Sequence, residues 1–307
     1  MTDVRLASLA QSRPLERADP PTAPSVRRRL DDVTLCCIDT LHHEAALHAI
    51  RQSRAACDFG AALFLTDQEI REDAVDVIRI ETIDRVEDYS RVILREVVPH
   101  IRTSHVLVIQ WDGYVVDGRM WDPGFLAFDY IGAVWPFHDD HHRVGNGGFS
   151  LRSRRLMAAL LAPEFPVRHP EDEAVCRVYR PELEARGFRF ADEATAERFS
   201  VEVGQPAGPT FGFHGLFNLW RFIPAVELPA FLERVDPRGL ISTSAFTLLA
   251  NYVVSRRWQE AAVLLRRMSI HLDRAAQVQG LAAVLQSDLE QAERRIERID
   301  REMGAIG

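Results

Sequence analysis

The sequence predicts an α/β fold, a mainly parallel sheet flanked by helices, with a helical C-terminal appendage. Three observations predict it. Short apolar runs alternate with helical periods from Val33 to Ile109, each run ends on polar residues, and beyond Pro224 helical spacing takes over. A chain of 307 residues has room for one large α/β domain and such an appendage, and length enough to bury a sizeable core.

Residues 1–30 carry Pro14, Pro20, Pro21 and Pro24 among polar side chains with no sustained period, so they read as a flexible leader whose solvated end is Arg27 to Arg29. The first strand is Val33 to Ile38, ended by Asp39-Thr40 and followed by a helical stretch through His48 and Arg51. Ala61 to Leu65 forms the second strand, ending in Thr66-Asp67, and Ile78 to Ile80 the third. Tyr89 to Ile101 reads as a helix with Val92, Ile93, Val97 and Val98 inward. The strongest strand is His105 to Ile109, delivering Gln110-Trp111-Asp112-Gly113. In such a sheet ligands bind at the carboxyl ends of the strands, where each of these polar groups sits.

Residues 114–220 are richer in Gly, Pro and aromatic side chains and hold fewer periods. The expected domains are 31–224 and a helical region over 225–307. Within the latter, 242–268 and 270–303 read as helices. The second carries Leu285, Leu289, Ala292, Ile296, Ile299 and Met303 at spacings of four and three, a coiled-coil-like seam that suits a homodimer, another partner, or folding back on the chain itself.

Composition excludes several classes. A net charge of −8 argues against a phosphate-backbone binder, so no nucleic-acid partner is expected. No apolar run approaches the length of a membrane span and the N-terminus lacks the apolar core of a signal peptide, which places the protein in the cytoplasm. Cys36, Cys37, Cys57 and Cys176 show no metal-ligand spacing and read as buried free thiols.

Four constellations carry chemistry. Asp112, brought to the end of an apolar strand, is placed to hold a hard divalent cation against a diphosphate, although an Asp-Gly pair also simply forms turns. The loop Val144 to Ser153 has three glycines within four residues, admitting close approach of a ligand, with Ser150 and Arg152 as donors to sugar hydroxyls or phosphate; a plain glycine-rich turn has the same composition. His169-Pro-Glu-Asp-Glu173 precedes Ala174, Val175, Val178 and Tyr179 of an apparent helix. Its carboxylates suit both a helix N-terminus and a fixed general base. In Phe211-Gly-Phe-His-Gly215 the histidine is a structural side chain or a further ligand for a manganese-like cation.

Taken in order, Gln110-Trp111-Asp112, Asp129-Tyr-Ile-Gly-Ala-Val-Trp135 and Gly145 to Ser153 resemble the GT-A superfamily of glycosyltransferases. The likeness is to a bacterial and fungal group with Gln-x-Asp, Asp-Tyr-Ile-Gly-Ala-x-Trp and Gly-Asn-Gly-Gly-Phe-Ser-Leu-Arg-Ser motifs. It runs from Val33 to His214. The resemblance implies a GT-A, Rossmann-like domain over 31–224 and transfer of a sugar from a nucleotide-sugar donor, such as a UDP-sugar, to a glycan or other hydroxyl acceptor with Mn2+ or Mg2+.

Residue by residue, it implies that Asp112 matches the last aspartate of an Asp-x-Asp motif, with Gln110 replacing the first. Glu171 and Asp172 match a motif whose aspartate is the base of inverting members, and His214 matches a metal-binding histidine. Asp39, Thr40 and Asp67 resemble the nucleoside-binding edge, joined by Tyr89 and Trp111, while Gly147 and Gly148 belong to the glycine-rich loop. The implied mechanism is an inverting displacement. A retaining outcome, a catalytically inactive nucleotide-sugar or glycan-binding module, and a nucleotidyltransferase are the competing readings; the missing first aspartate speaks for the binding module.

Overall fold

The computed structural model describes residues 27–304, in two compact units, one ending at His214 and the other beginning at Gly215. The first unit is built on a six-stranded sheet. Its strands are β1 (Arg28–Ile38), β2 (Cys57–Thr66), β3 (Asp76–Arg79), β4 (His105–Ile109), β5 (Tyr130–Ile131) and, after the hairpin β6 (Ala133–Val134) and β7 (Val144–Gly145), β8 (Phe149–Ser153). The order is β3-β2-β1-β4-β8-β5. The first four strands run parallel, and only β8 runs against the rest.

Burial explains why these runs are continuous rather than alternating. Val33 to Ile38 and all of β4 are buried, because helices cover both faces of a parallel sheet. The helix His43–Ala56 contributes Ala46, Ala49, Ile50 and Ser53, spaced three and four apart so that they share one inward face. On one face of the sheet, lined by Cys36, Ile38, Leu63, Leu65, Val106 and Val108, the side chains of Val92, Ile93, Val97 and Val98 join Trp135, Leu156 and Val175 in one apolar core.

Several boundaries differ from the sequence reading. β1 begins at Arg28, where Arg28 to Leu30 already pair with Cys57 to Phe59, so a leader reaching residue 30 is too long; residues 1–26 of that leader lie outside the described residues. The helix expected over Tyr89 to Ile101 is Val86–Arg95 followed by a 3-10 turn, Val98–His100, because Pro99 cannot donate into a continuing helix. After Pro170 the helical turn Glu171–Glu173 widens into a π turn, Ala174–Val178, which rotates Val178 out to solvent and brings Cys176 inward.

The second unit is helical. Its two expected long helices are four: Thr243–Val254, Trp258–Met268, Arg274–Leu285 and Leu289–Gly304. Arg256 and Gln286 adopt positive φ at the breaks, and Ser242 and Asp273 cap the helices that follow them with side-chain oxygens. The seam is thereby divided. Leu285 and Leu289 fall on different helices, and Ala292, Ile296 and Ile299 are fully buried where Leu289–Gly304 packs on Trp258–Met268 and Arg274–Leu285. No helix among the described residues is long and apolar enough to cross a membrane.

Candidate functional site

Parallel register brings the ends of β1, β2 and β4 level, with Ile38 beside Leu65 and Cys37 beside Ile109, so Asp39, Thr66-Asp67 and Gln110 emerge at one edge. Because β8 runs antiparallel and pairs Phe149 with Ile109, the glycines that precede it arrive at this edge too. The edge holds three groups of side chains.

The first is the pair of strand ends expected to meet a nucleoside. Asp39 accepts from the backbone of Leu41 (2.7 Å) and His42, capping the chain as it enters the first helix, and burial raises its carboxyl above the ordinary range. Thr40 accepts from Ile83 N at 2.9 Å, and Asp67 accepts from Thr82 Oγ1 at 2.8 Å and meets His43 Nε2 at 2.7 Å. The indole of Trp111 lies on the His42 ring, with centroids 4.4 Å apart. Tyr89, expected at this edge, lies beside Gln110. Burial, and then the Glu171 carboxylate, push its phenol well above its usual range, and Gln110 and Arg152 are its other neighbours.

The second group centres on His214. Gly113 donates to Gln110 O at 3.1 Å, closing the turn that presents Asp112. The segment reaching His214 packs directly on this turn; a Cβ at Gly113 would collide with Phe213 O. Val116 donates to Phe211 O at 2.9 Å, and β10 (Gly212–Phe213) pairs in parallel with β9 (Ser200–Val201). His214 is thus fixed from both sides. Its Nε2 lies 3.5 Å from Asp112 Oδ1 and 2.9 Å from Gln110 Oε1, while its Nδ1 lies 3.0 Å from Glu202 Oε1. Burial alone would lower this imidazole, but Asp112 and Glu202 outweigh it and push the group up to about 9. Without another cation His214 is therefore an imidazolium at neutral pH, donating on both sides.

The third group is the glycine-rich loop with the acidic turn. Gly148 lies against His214, and a Cβ there would overlap Nε2. Asn146, at φ 71°, turns the loop and accepts from Gly148 N at 2.7 Å. Gly147 N donates to Asp172 Oδ2 at 2.9 Å, and Glu173 N to Asp172 Oδ1 at 2.8 Å. Burial, together with the neighbouring Glu171 charge, pushes the Asp172 carboxyl up to about 7, which the two N–H donors only partly oppose. That places it where a general base works best.

Two expectations are corrected here. Ser150 and Arg152 are fully buried and turned inward: Arg152 donates to Ser150 Oγ (2.9 Å), Gly147 O (3.3 Å) and Glu171 Oε1 (2.7 Å). Glu171, expected beside Asp172 as a catalytic carboxylate, is thereby held in a buried ion pair, and its charge raises the Asp172 carboxyl. Asp129 of the Asp-Tyr-Ile-Gly motif is structural as well, accepting from Arg155 Nε at 2.7 Å and Arg189 N at 2.8 Å at the far end of β8. The four cysteines are free and buried.

Glu202 was not singled out from the sequence, nor was His43. Glu202 lies in a short polar stretch without period, and its partnership with His214 follows from pairing between segments that a single sequence does not display.

Asp112, His214 and Gln110 are of the donor types that a hard divalent cation accepts. Among the described residues no three His, Cys, Asp or Glu side chains converge on one point, so the chain itself offers Asp112 and the imidazole of His214, with the Gln110 amide oxygen alongside. Such a mixed oxygen and nitrogen set leaves positions open for a ligand's own oxygens. The surrounding carboxylates of Asp112, Glu202 and Asp172 would repel a diphosphate that came without a cation.

A family described as a protein of unknown function, DUF5672, matches residues 74–214, which include Gln110, Asp112, the glycine-rich loop, Asp172 and His214. No curated protein matches the chain. Among the solved structures similar in backbone are three glycosyltransferases. A mannosyltransferase, PcManGT from Pyrobaculum calidifontis, in complex with GDP-Man and Mn2+, is 12% identical over 97% of this chain and 91% of its own, with a TM-score of 0.38. A glycosyltransferase involved in glycosylation of the major capsid of PBCV-1 is 12% identical over 59% of this chain and 92% of its own, with a TM-score of 0.39. The apo-form glycosyltransferase GlyE of Streptococcus pneumoniae TIGR4 is 11% identical over 78% of this chain, which spans 64% of that protein, with a TM-score of 0.37.

Proposed function

We propose that the protein is a cation-dependent glycosyltransferase that moves a sugar from a nucleoside diphosphate donor to an acceptor hydroxyl with inversion. The observation that carries this reading is the meeting, at one sheet edge, of Asp112 and His214, 3.5 Å apart, with a carboxylate, Asp172, raised to about 7. The motif resemblance to GT-A enzymes supports it independently.

Asp112 and His214 would hold the cation, whose role when bound is to offset the negative charge of the departing diphosphate. Asp172 takes the proton from the acceptor hydroxyl. That oxygen forms its bond to the anomeric carbon as the bond from this carbon to the phosphate oxygen breaks, and the electron pair leaves with the nucleoside diphosphate. Gly147 N and Glu173 N keep both carboxylate oxygens of Asp172 oriented, so little reorganisation accompanies proton transfer. Asp67 with His43 and Thr82, and Trp111 on His42, supply the polar and flat surfaces a nucleoside needs. The helical region is proposed as a separate element that carries no part of this chemistry.

One observation favours a second reading, a nucleotide-sugar binding module without turnover. Gln110 stands where Asp-x-Asp enzymes have an aspartate, and its oxygen already engages His214 Nε2. Calorimetric titration with a panel of nucleoside diphosphates, with and without Mn2+, tests the donor site. Binding of one nucleotide only with Mn2+, lost in Asp112→Ala, supports it, and the absence of binding to folded protein overturns it. Turnover against an acceptor panel then separates enzyme from binding module.

A further inference from the structure

We infer that Glu202 is a positioning residue for the cation: its carboxylate holds Nδ1–H of His214 and so leaves Nε2 as the nitrogen that faces Asp112. The inference rests on the cation-dependent reading above and concerns a residue that no motif marks.

Three features of the fold carry it. β9 and β10 are parallel and in register, with Ser200 beside Gly212 and Val201 beside Phe213. The next pair in that register is Glu202 beside His214, and His214 N donates to Val201 O at 3.0 Å, so the ladder itself sets the two side chains together. Glu202 Oε1 lies 3.0 Å from Nδ1, within hydrogen-bond range. On the opposite side of the ring Nε2 has Asp112 Oδ1 at 3.5 Å and Gln110 Oε1 at 2.9 Å, and Gly148 packs so closely on the imidazole that a Cβ would overlap Nε2, which fixes the ring from that side. A carboxylate on one imidazole nitrogen fixes the tautomer and ring orientation and raises the basicity of the other nitrogen, the arrangement by which outer carboxylates strengthen histidine ligands. Both Glu202 and His214 are largely but not fully buried, with side chains 18% and 17% exposed, so the pair is held in place while a small ion retains access.

The test uses Mn2+ alone with the full-length protein, free ion being read by electron paramagnetic resonance and coordinated imidazole by electron spin-echo modulation from nitrogen. Glu202→Ala is expected to weaken Mn2+ binding by about 10–100-fold and to diminish the nitrogen modulation, with Glu202→Gln, which keeps an acceptor but loses the charge, in between. His214→Ala loses the modulation altogether. Thermal unfolding of each variant identifies folded protein, so a purely structural role would alter the melting temperature and leave the affinity of the folded fraction unchanged. If folded Glu202→Ala or Glu202→Gln binds Mn2+ as tightly as the unaltered protein while His214→Ala does not, the role of Glu202 is overturned and the metal pair stands. Should the unaltered protein bind Mn2+ without nitrogen modulation, or not at all, the cation reading of His214 falls and the role of Glu202 with it.

Discussion

Two carboxylate–cation pairs lie around the same glycine-rich loop, and they differ in what they can exchange. Glu171 and Arg152 sit on its inner side with side chains 6% and 0% exposed, and Arg152 also donates to Gly147 O and Ser150 Oγ. Glu202 and His214 sit on its outer side, partly open to solvent, next to Gly148. A guanidinium does not give up its proton at any physiological pH, so the inner pair can only be a scaffold. An imidazole does, so under the proposed function the outer pair would release a proton and accept a metal ion in its place. Gly147 and Gly148 therefore separate a structural ion pair from a chemical one. The difference lies in the type of cation and its exposure rather than in the carboxylate.

The largest effect should come from breaking the inner pair. Arg152→Met leaves the Glu171 charge buried without its partner and is expected to cost about 3–5 kcal/mol in stability by denaturant unfolding. Because Glu171 and Gly147 both lose a donor, the support of Asp172 goes with it. The double variant Arg152→Met with Glu171→Leu should recover most of that loss, since it removes the charge along with its partner. If the single variant were as stable as the double, the inner pair would not be the scaffold described.

Next in size is the base. Asp172→Ala is expected to lower turnover about 10²–10⁴-fold while metal-dependent nucleotide binding persists. If Asp172 is the base, a carboxyl raised to about 7 must be ionised to act, so kcat/KM of the unaltered protein should rise with pH through about 7 and level off above it. The same shift carries a stability consequence of opposite sign. The folded state binds this proton more tightly than the unfolded chain, whose aspartates titrate near 4, so the contribution of Asp172 to stability is present below about pH 4 and is lost as pH rises through about 7. Asp172→Ala should accordingly gain in stability relative to the unaltered protein as pH rises through that window. A difference that stays constant with pH would mean that the carboxyl titrates normally.

Much of this architecture was legible in the sequence because it depends on local pattern. β4 runs from His105 to Ile109 as its apolar run indicates, and Asp112 follows it at the sheet edge; that Asp172 and His214 lie near Asp112 is a matter of tertiary structure, and strand-end logic alone does not give it. What was not legible depends on pairing between distant segments. Arg152 in a glycine-rich stretch looks like an anion donor until β8 is seen to turn it inward to Glu171. Glu202 acquires its meaning only from the register of β9 with β10. The two breaks among the C-terminal helices were hidden for a different reason. Arg256 and Gln286 take up the left-handed conformation that glycine or asparagine would have advertised.

A smaller effect sharpens the comparison on the loop itself. Gly148→Ala leaves the inner pair untouched and places a methyl group where His214 Nε2 now lies, so the imidazole has to move. Overpacking of this kind costs about 1–3 kcal/mol, and the displacement should weaken Mn2+ binding while Asp172 keeps its bond to Gly147 N. The variant is thus expected to bind Mn2+ less well yet retain the pH midpoint of the base, measured at saturating metal.

The smallest effect on the site should come from the helical unit. Ile296→Val, which trims one methylene from a fully buried side chain in the helix Leu289–Gly304, should destabilise that unit by about 0.5–1.5 kcal/mol. Mn2+ binding should be unchanged. Oligomeric mass by light scattering should be unchanged too, because Ala292, Ile296 and Ile299 spend their apolar surface on neighbouring helices of the same chain. A fall in mass on this substitution would mean instead that the seam opens to a second copy in solution, returning it to the role its coiled-coil spacing suggests.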